Sequence, residues 1–134
     1  MRRFLVVLLL LVSTAHAENV IIVHPKNNLD ALAPQAVQDI FLGRTRVFPN
    51  GKFALPIDQS SGLRADFYQK LTARPISQIN AYWARIIFTG QASPPLQLPD
   101  DTAVLQTVRE NEGAIGYVER SSVDDTVRVV LELP

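Results

Sequence analysis

The hydrophobic positions of this chain alternate between two periods. Asn19 to His24 (NVIIVH) is a short β-branched run that predicts a buried strand, closed by Pro25 and Asn27-Asn28. Pro34 can open a helix, Val37, Ile40 and Phe41 then fall at helical spacing, and Gly43 suits its C-terminal cap. Phe48-Pro49-Asn50-Gly51 predicts a tight turn, after which Phe53, Leu55 and Ile57 alternate as on a half-buried strand. Gln59 to Gly62 turns the chain into a helix carrying Leu63, Phe67 and Leu71 on one face. Pro75 opens a further helix with an apolar stripe of Ile76, Ile79, Trp83, Ile86 and Ile87, ended by Gly90. Gln91 to Pro99 contains three prolines and is expected as a surface loop. Asp100 or Asp101 then caps a helix bearing Val104, Leu105 and Val108, with Gly113 as its stop. Ala114–Val118 and Thr126–Leu133 complete the strands. Strands alternating with amphipathic helices predict an α/β domain of two or three layers.

The first residues carry a different pattern. Arg2 and Arg3 precede an apolar run, Phe4 to Val12, and Ala15-His16-Ala17 places small residues at −3 and −1 of a cleavage point. Residues 1–17 are therefore expected to be a signal peptide, and 18–134 the exported domain. The apolar run is too short for a membrane span, which needs about 20 residues. No membrane insertion is expected after cleavage, and the periplasm is the simplest destination.

Composition narrows the chemistry. The 134 residues hold 13 bases, 13 acids and no cysteine, so disulfides, thiolate catalysis and cysteine-ligated metals are excluded. Losing Arg2 and Arg3 leaves 11 bases against 13 acids, a charge of about −2. That balance lacks the positive field of a non-specific nucleic-acid binder. No P-loop, dinucleotide fingerprint or H-E-x-x-H is present, and no cofactor or metal is implied. A hydrolase would have to combine Ser60 or Ser61 with His24, the one histidine beyond the leader, and no G-x-S-x-G elbow supports it. The expectation is a non-enzyme.

The remaining chemistry lies at Leu55-Pro56-Ile57-Asp58-Gln59-Ser60-Ser61-Gly62-Leu63-Arg64. A helix start leaves backbone N–H groups without intrahelical partners, and they attract anions. Ser60 and Ser61 add hydroxyls, Gly62 permits close approach, and Arg64 offers a guanidinium. Against this stand a plain serine-capped helix and a mundane Asp58–Arg64 ion pair. Arg44, Arg46 and Lys52 form either a small basic patch or a solvated loop, with the loop the commoner case. Trp83 is expected in the core.

The ordered motifs Ile40-Phe41-Leu42-Gly43, Phe48-x-x-Gly51, Ser61-Gly62-x-Arg64-x-x-Phe67, Trp83, Phe88-Thr89-Gly90, Pro94-Pro95 and Gly113-Ala114-Ile115-Gly116-Tyr117-Val118 resemble the phosphate-type substrate-binding proteins of ABC transporters. More closely, they resemble short single-domain relatives. The resemblance implies one lobe of a type 2 periplasmic-binding-protein fold, with a central mixed sheet flanked by helices. It implies an exported solute-binding-like protein associated with uptake or sensing of phosphate or a similar oxyanion. Ser61 and Gly62 match the Ser-Gly of the family's Arg-x-x-x-Ser-Gly-Thr pattern, while Ile57 stands in place of its arginine and Leu63 in place of its threonine. The candidate anion ligands are Ser60, Ser61, Gly62 and Arg64. Implied partners are the membrane subunits of an ABC transporter, a sensor protein, or a second copy supplying the missing wall. The alternative is a periplasmic interaction or sensor-accessory module that has lost its small ligand.

Overall fold

The structure, a computed structural model, describes residues 18–134, so the expected leader at 1–17 lies outside the described residues. Five strands, β1 (Asn19–Val23), β2 (Leu55–Gln59), β3 (Leu96–Leu98), β4 (Ala114–Glu119) and β5 (Arg128–Leu133), form one sheet in the order β3-β2-β4-β1-β5. β2 runs parallel to β3 and β4, whereas β1 is antiparallel to β4 and β5. Four helices, α1 (Pro34–Phe41), α2 (Leu63–Thr72), α3 (Ile76–Thr89) and α4 (Asp101–Glu110), cover it.

All five β1 residues are buried because both faces of the sheet are covered. Ile21, Val23, Ile115 and Tyr117 pack into one core with Val37, Phe41, Phe67, Ile79 and Trp83 from α1, α2 and α3. Val20, Ile22, Ile57 and Val118 pack into a second core with Val104, Leu105 and Val108 of α4. The domain is a three-layer sandwich whose two cores both close within residues 18–134. The expected fold class, a mixed sheet flanked by helices in a single lobe, is what the chain adopts.

Four local expectations change. The proline-containing stretch 91–99 ends in β3, whose three residues draw their strand character from pairing with β2. The alternation of Phe53, Leu55 and Ile57 does not mark one buried face. Ile57 is buried, but Phe53 precedes β2, bridges only to Val47, and is 78% exposed. On α3 the stripe stops at Ile86, with Ile87 and Phe88 exposed. Gly113 does not cap α4, since that helix ends at Glu110 with Asn111 as its C-cap. Asp100 is the residue that caps its start, its carboxylate accepting from Ala103 N at 2.9 Å. Gly43 follows α1 at φ +71°, and a Cβ there would lie 2.8 Å from Trp83 Cη2. Tyr82 is half-buried and its hydroxyl donates to the Leu42 carbonyl.

Candidate functional site

The end of β2 delivers Asp58 and Gln59 into the protein interior, and the chain then turns through Ser60-Ser61-Gly62 into α2. A buried carboxylate costs several kcal/mol unless it is paired and hydrogen-bonded. Asp58 meets that requirement. Its Oδ1 accepts from Gln59 N at 2.8 Å and from the Tyr117 hydroxyl, and its Oδ2 accepts from the Tyr68 hydroxyl at 2.9 Å and Arg64 Nε at 3.2 Å. Arg64 also donates through Nη1 to Asn80 Oδ1 at 2.7 Å, and its guanidinium lies 5.3 Å from the Tyr68 ring centroid. Burial pushes both phenols well above their ordinary pKa of 10.0, and the neighbouring Asp58 carboxylate pushes them further.

Gln59 organises the other side of the turn. Its Nε2 donates to Asp101 Oδ1 at 2.8 Å and to the Tyr117 carbonyl at 2.7 Å, and its Oε1 accepts from Ser61 Oγ at 2.7 Å. Asp101 Oδ2 accepts from Glu119 N and from Ser122 Oγ. Ser60 N donates to the Leu98 carbonyl at 2.9 Å, which ties the junction to β3.

The four residues singled out from the sequence therefore share one junction but differ in availability. Ser61 Oγ is engaged by Gln59 and also accepts from Leu63 N at 3.3 Å. Arg64 is engaged by Asp58 and Asn80. The backbone amides of Ser61 and Gly62 make no hydrogen bond among the described residues. Gly62 is exposed, and a Cβ there would meet no atom within 4 Å. Ser61 and Gly62 border an open depression of about 460 Å³ that also carries Thr102, Asp100, Asp101 and Glu119. The site thus offers amide donors at a helix start, set among carboxylates.

Sequence reasoning weighed the Asp58–Arg64 pair but missed Gln59, Tyr68, Asn80 and Tyr117, which come from β2, α2, α3 and β4. Tyr68 follows core residue Phe67 and Tyr117 sits in the AIGYV strand, so a polar tip on a buried aromatic was the available signal. His24 lies elsewhere. β1 runs antiparallel to β4 and β2 parallel to it, so His24 and the Ser60 turn occupy opposite ends of the sheet. His24 Nδ1 instead accepts from Lys26 N at 3.0 Å. No group of three or more His, Asp or Glu side chains among the described residues could hold a metal.

This lobe has the fold of substrate-binding proteins of phosphate ABC transporters. One such structure, a chain from Clostridium perfringens assigned to that class and holding bound phosphate, aligns at a TM-score of 0.66 and 20% identity over 85% of this chain and 45% of that one. An ABC-type phosphate transport receptor from Vibrio cholerae aligns at 0.65 and 16% identity, over 85% and 46%. PstS from Borrelia burgdorferi aligns at 0.63 and 13% identity, over 85% and 47%. The chain spans about half the length of these proteins, and what it shares with them at such identities is the fold. No protein-family model and no curated protein matches it.

Proposed function

We propose that this domain is an exported, non-enzymatic solute-binding lobe that takes phosphate at the start of α2 and serves phosphate uptake or sensing. The observation that carries this reading is that Ser61 and Gly62, whose amides are unengaged among the described residues, border an accessible depression at a strand-to-helix junction. Helix starts of this kind hold anions through N–H groups and the positive end of the helix dipole. The bordering carboxylates weaken the binding of any anion, and they favour phosphate over sulfate, because phosphate keeps a proton to donate to Glu119 or Asp100 at neutral pH. With one lobe the anion stays in contact with water, so affinity is expected in the millimolar range, about 4 kcal/mol. Among the described residues no helix is long and apolar enough to cross a membrane.

A second reading has its own support. Arg64 is held by Asp58 and Asn80, and the Ser61 hydroxyl by Gln59, so the junction partly satisfies itself. That arrangement suits an interaction or sensor-accessory module that no longer takes a small ligand. Calorimetry of the 18–134 domain with phosphate and sulfate separates the two. Weak heat with phosphate, smaller heat with sulfate, and loss of both on Gly62→Pro support solute capture. Absence of heat and of any thermal shift at tens of millimolar phosphate refutes it and leaves the interaction module.

A further inference from the structure

At the opposite end of β2 from the phosphate site, an apolar ridge stands out of the surface. Phe53 is 78% exposed, Leu55 44% and, on the neighbouring strand β3, Leu96 49%. This ridge is not the frayed end of an element. The Leu55 amide donates to the Gly113 carbonyl at 2.8 Å, and Ala54 N donates to the Arg46 carbonyl at 2.8 Å, so the backbone beneath it is fixed. Two hollows share the segment Phe53–Leu55. One, of about 340 Å³, is bordered by Arg46, Pro95 and Leu96. The other, of about 470 Å³, is bordered by Glu110 and Glu112. Neither Arg46 nor Glu112 forms an ion pair among the described residues.

We propose that this ridge is an interface with a second copy of the same chain. The patch is self-complementary: an apolar centre lies between a basic flank and an acidic flank. A two-fold axis running along the ridge sets Phe53 and Leu55 of each copy together and places Arg46 of one copy opposite Glu110 and Glu112 of the other. Each dimer then gains the same cross-pairs twice, the signature of an isologous contact. The edge of the sheet supplies a further reason. β3 is the outer strand beyond β2 and carries Leu96 of the ridge, so its outer side has no strand partner of its own. Eleven bases against 13 acids over residues 18–134 give almost no net repulsion between copies. A foreign acidic or basic partner would match one flank and clash with the other, which is why a second copy fits best. Because the ridge and the Ser61–Gly62 amides lie at opposite ends of β2, this pairing leaves the phosphate site open and does not depend on it.

Sedimentation velocity on the 18–134 domain, from about 1 to 500 μM, tests the idea. The wild-type domain is expected to pass from monomer to dimer within that range, and Phe53→Asp to remain monomeric. Phe53 is exposed, so the variant keeps the far-ultraviolet circular dichroism of the wild type. The decisive arm is charge reversal. Arg46→Glu alone and Glu112→Arg alone each weaken association at least tenfold, while Arg46→Glu with Glu112→Arg in one chain restores it to within about threefold. Phosphate leaves the dimerisation constant unchanged. A wild-type domain that stays monomeric throughout, or a double reversal that fails to restore association, overturns the proposal.

Discussion

Asp58→Asn exposes the division of labour at the junction. Asp58 is buried and accepts four hydrogen bonds, one of them from a charged guanidinium. Asparagine keeps the volume but offers one acceptor oxygen, and its amide nitrogen must face donors. Each hydrogen bond to a charged group contributes about 1.5–3 kcal/mol, and removing one partner of a buried ion pair costs about 3–5 kcal/mol. The Arg64 side chain is 17% exposed, so water recovers part of that loss, and about 3 kcal/mol of destabilisation is expected. In urea, with a slope of about 2 kcal/mol/M, the midpoint falls by roughly 1.5 M. The single tryptophan, Trp83, is buried in the core and reports the transition by fluorescence. The same substitution releases Arg64 and removes a negative charge beside the helix start, so phosphate binding by the folded variant tightens roughly tenfold, about 1.4 kcal/mol. A midpoint shift below about 0.3 M contradicts the structural account. Weaker phosphate binding contradicts the claim that Asp58 holds Arg64 back.

Other consequences are equally concrete. Gly43→Ala combines a left-handed backbone with a clash against Trp83, and should lose about 2–4 kcal/mol, measured by urea unfolding. Gly51→Ala, at φ +83° but with open space around its Cβ, should lose only about 1–2 kcal/mol, and equal losses at both sites would disprove the packing contribution. For Tyr68 and Tyr117 the pH dependence has a definite sign. Both phenols have raised pKa values in the folded state, so unfolding releases protons once pH exceeds about 10. Their stabilisation is complete below that point and declines as pH climbs. Absorbance of ionised phenol from these two residues should therefore grow together with loss of the Trp83 signal; ionisation near pH 10 with the fold intact would contradict their burial. Gln59→Leu should cost about 2 kcal/mol, read by thermal unfolding, because it strands the Tyr117 carbonyl and one Asp101 oxygen without their donor.

The sequence alone determined the succession of strands and helices apart from β3, because local periodicity reports which side chains share a face. The β-branched run Val20 to Val23 pointed to a buried strand, and Val104, Leu105 and Val108 pointed to one helix face. It also located the strand-to-helix junction at Ser60-Ser61-Gly62, since turn and cap chemistry acts within a few residues. Other features lay beyond its reach. β3 has no strand signal of its own and exists because β2 offers it a partner. The Asp58–Arg64 pair was open to a reading of nearby residues, but the network around Asp58 also joins α2 and β4, so only the fold brings Tyr68 and Tyr117 to the same carboxylate. The alternation through Phe53, Leu55 and Ile57 promised three covered residues, yet α4 reaches only Ile57. A period fixes which side chains point the same way, but coverage depends on which distant element arrives opposite them, and that is a property of the assembled sheet.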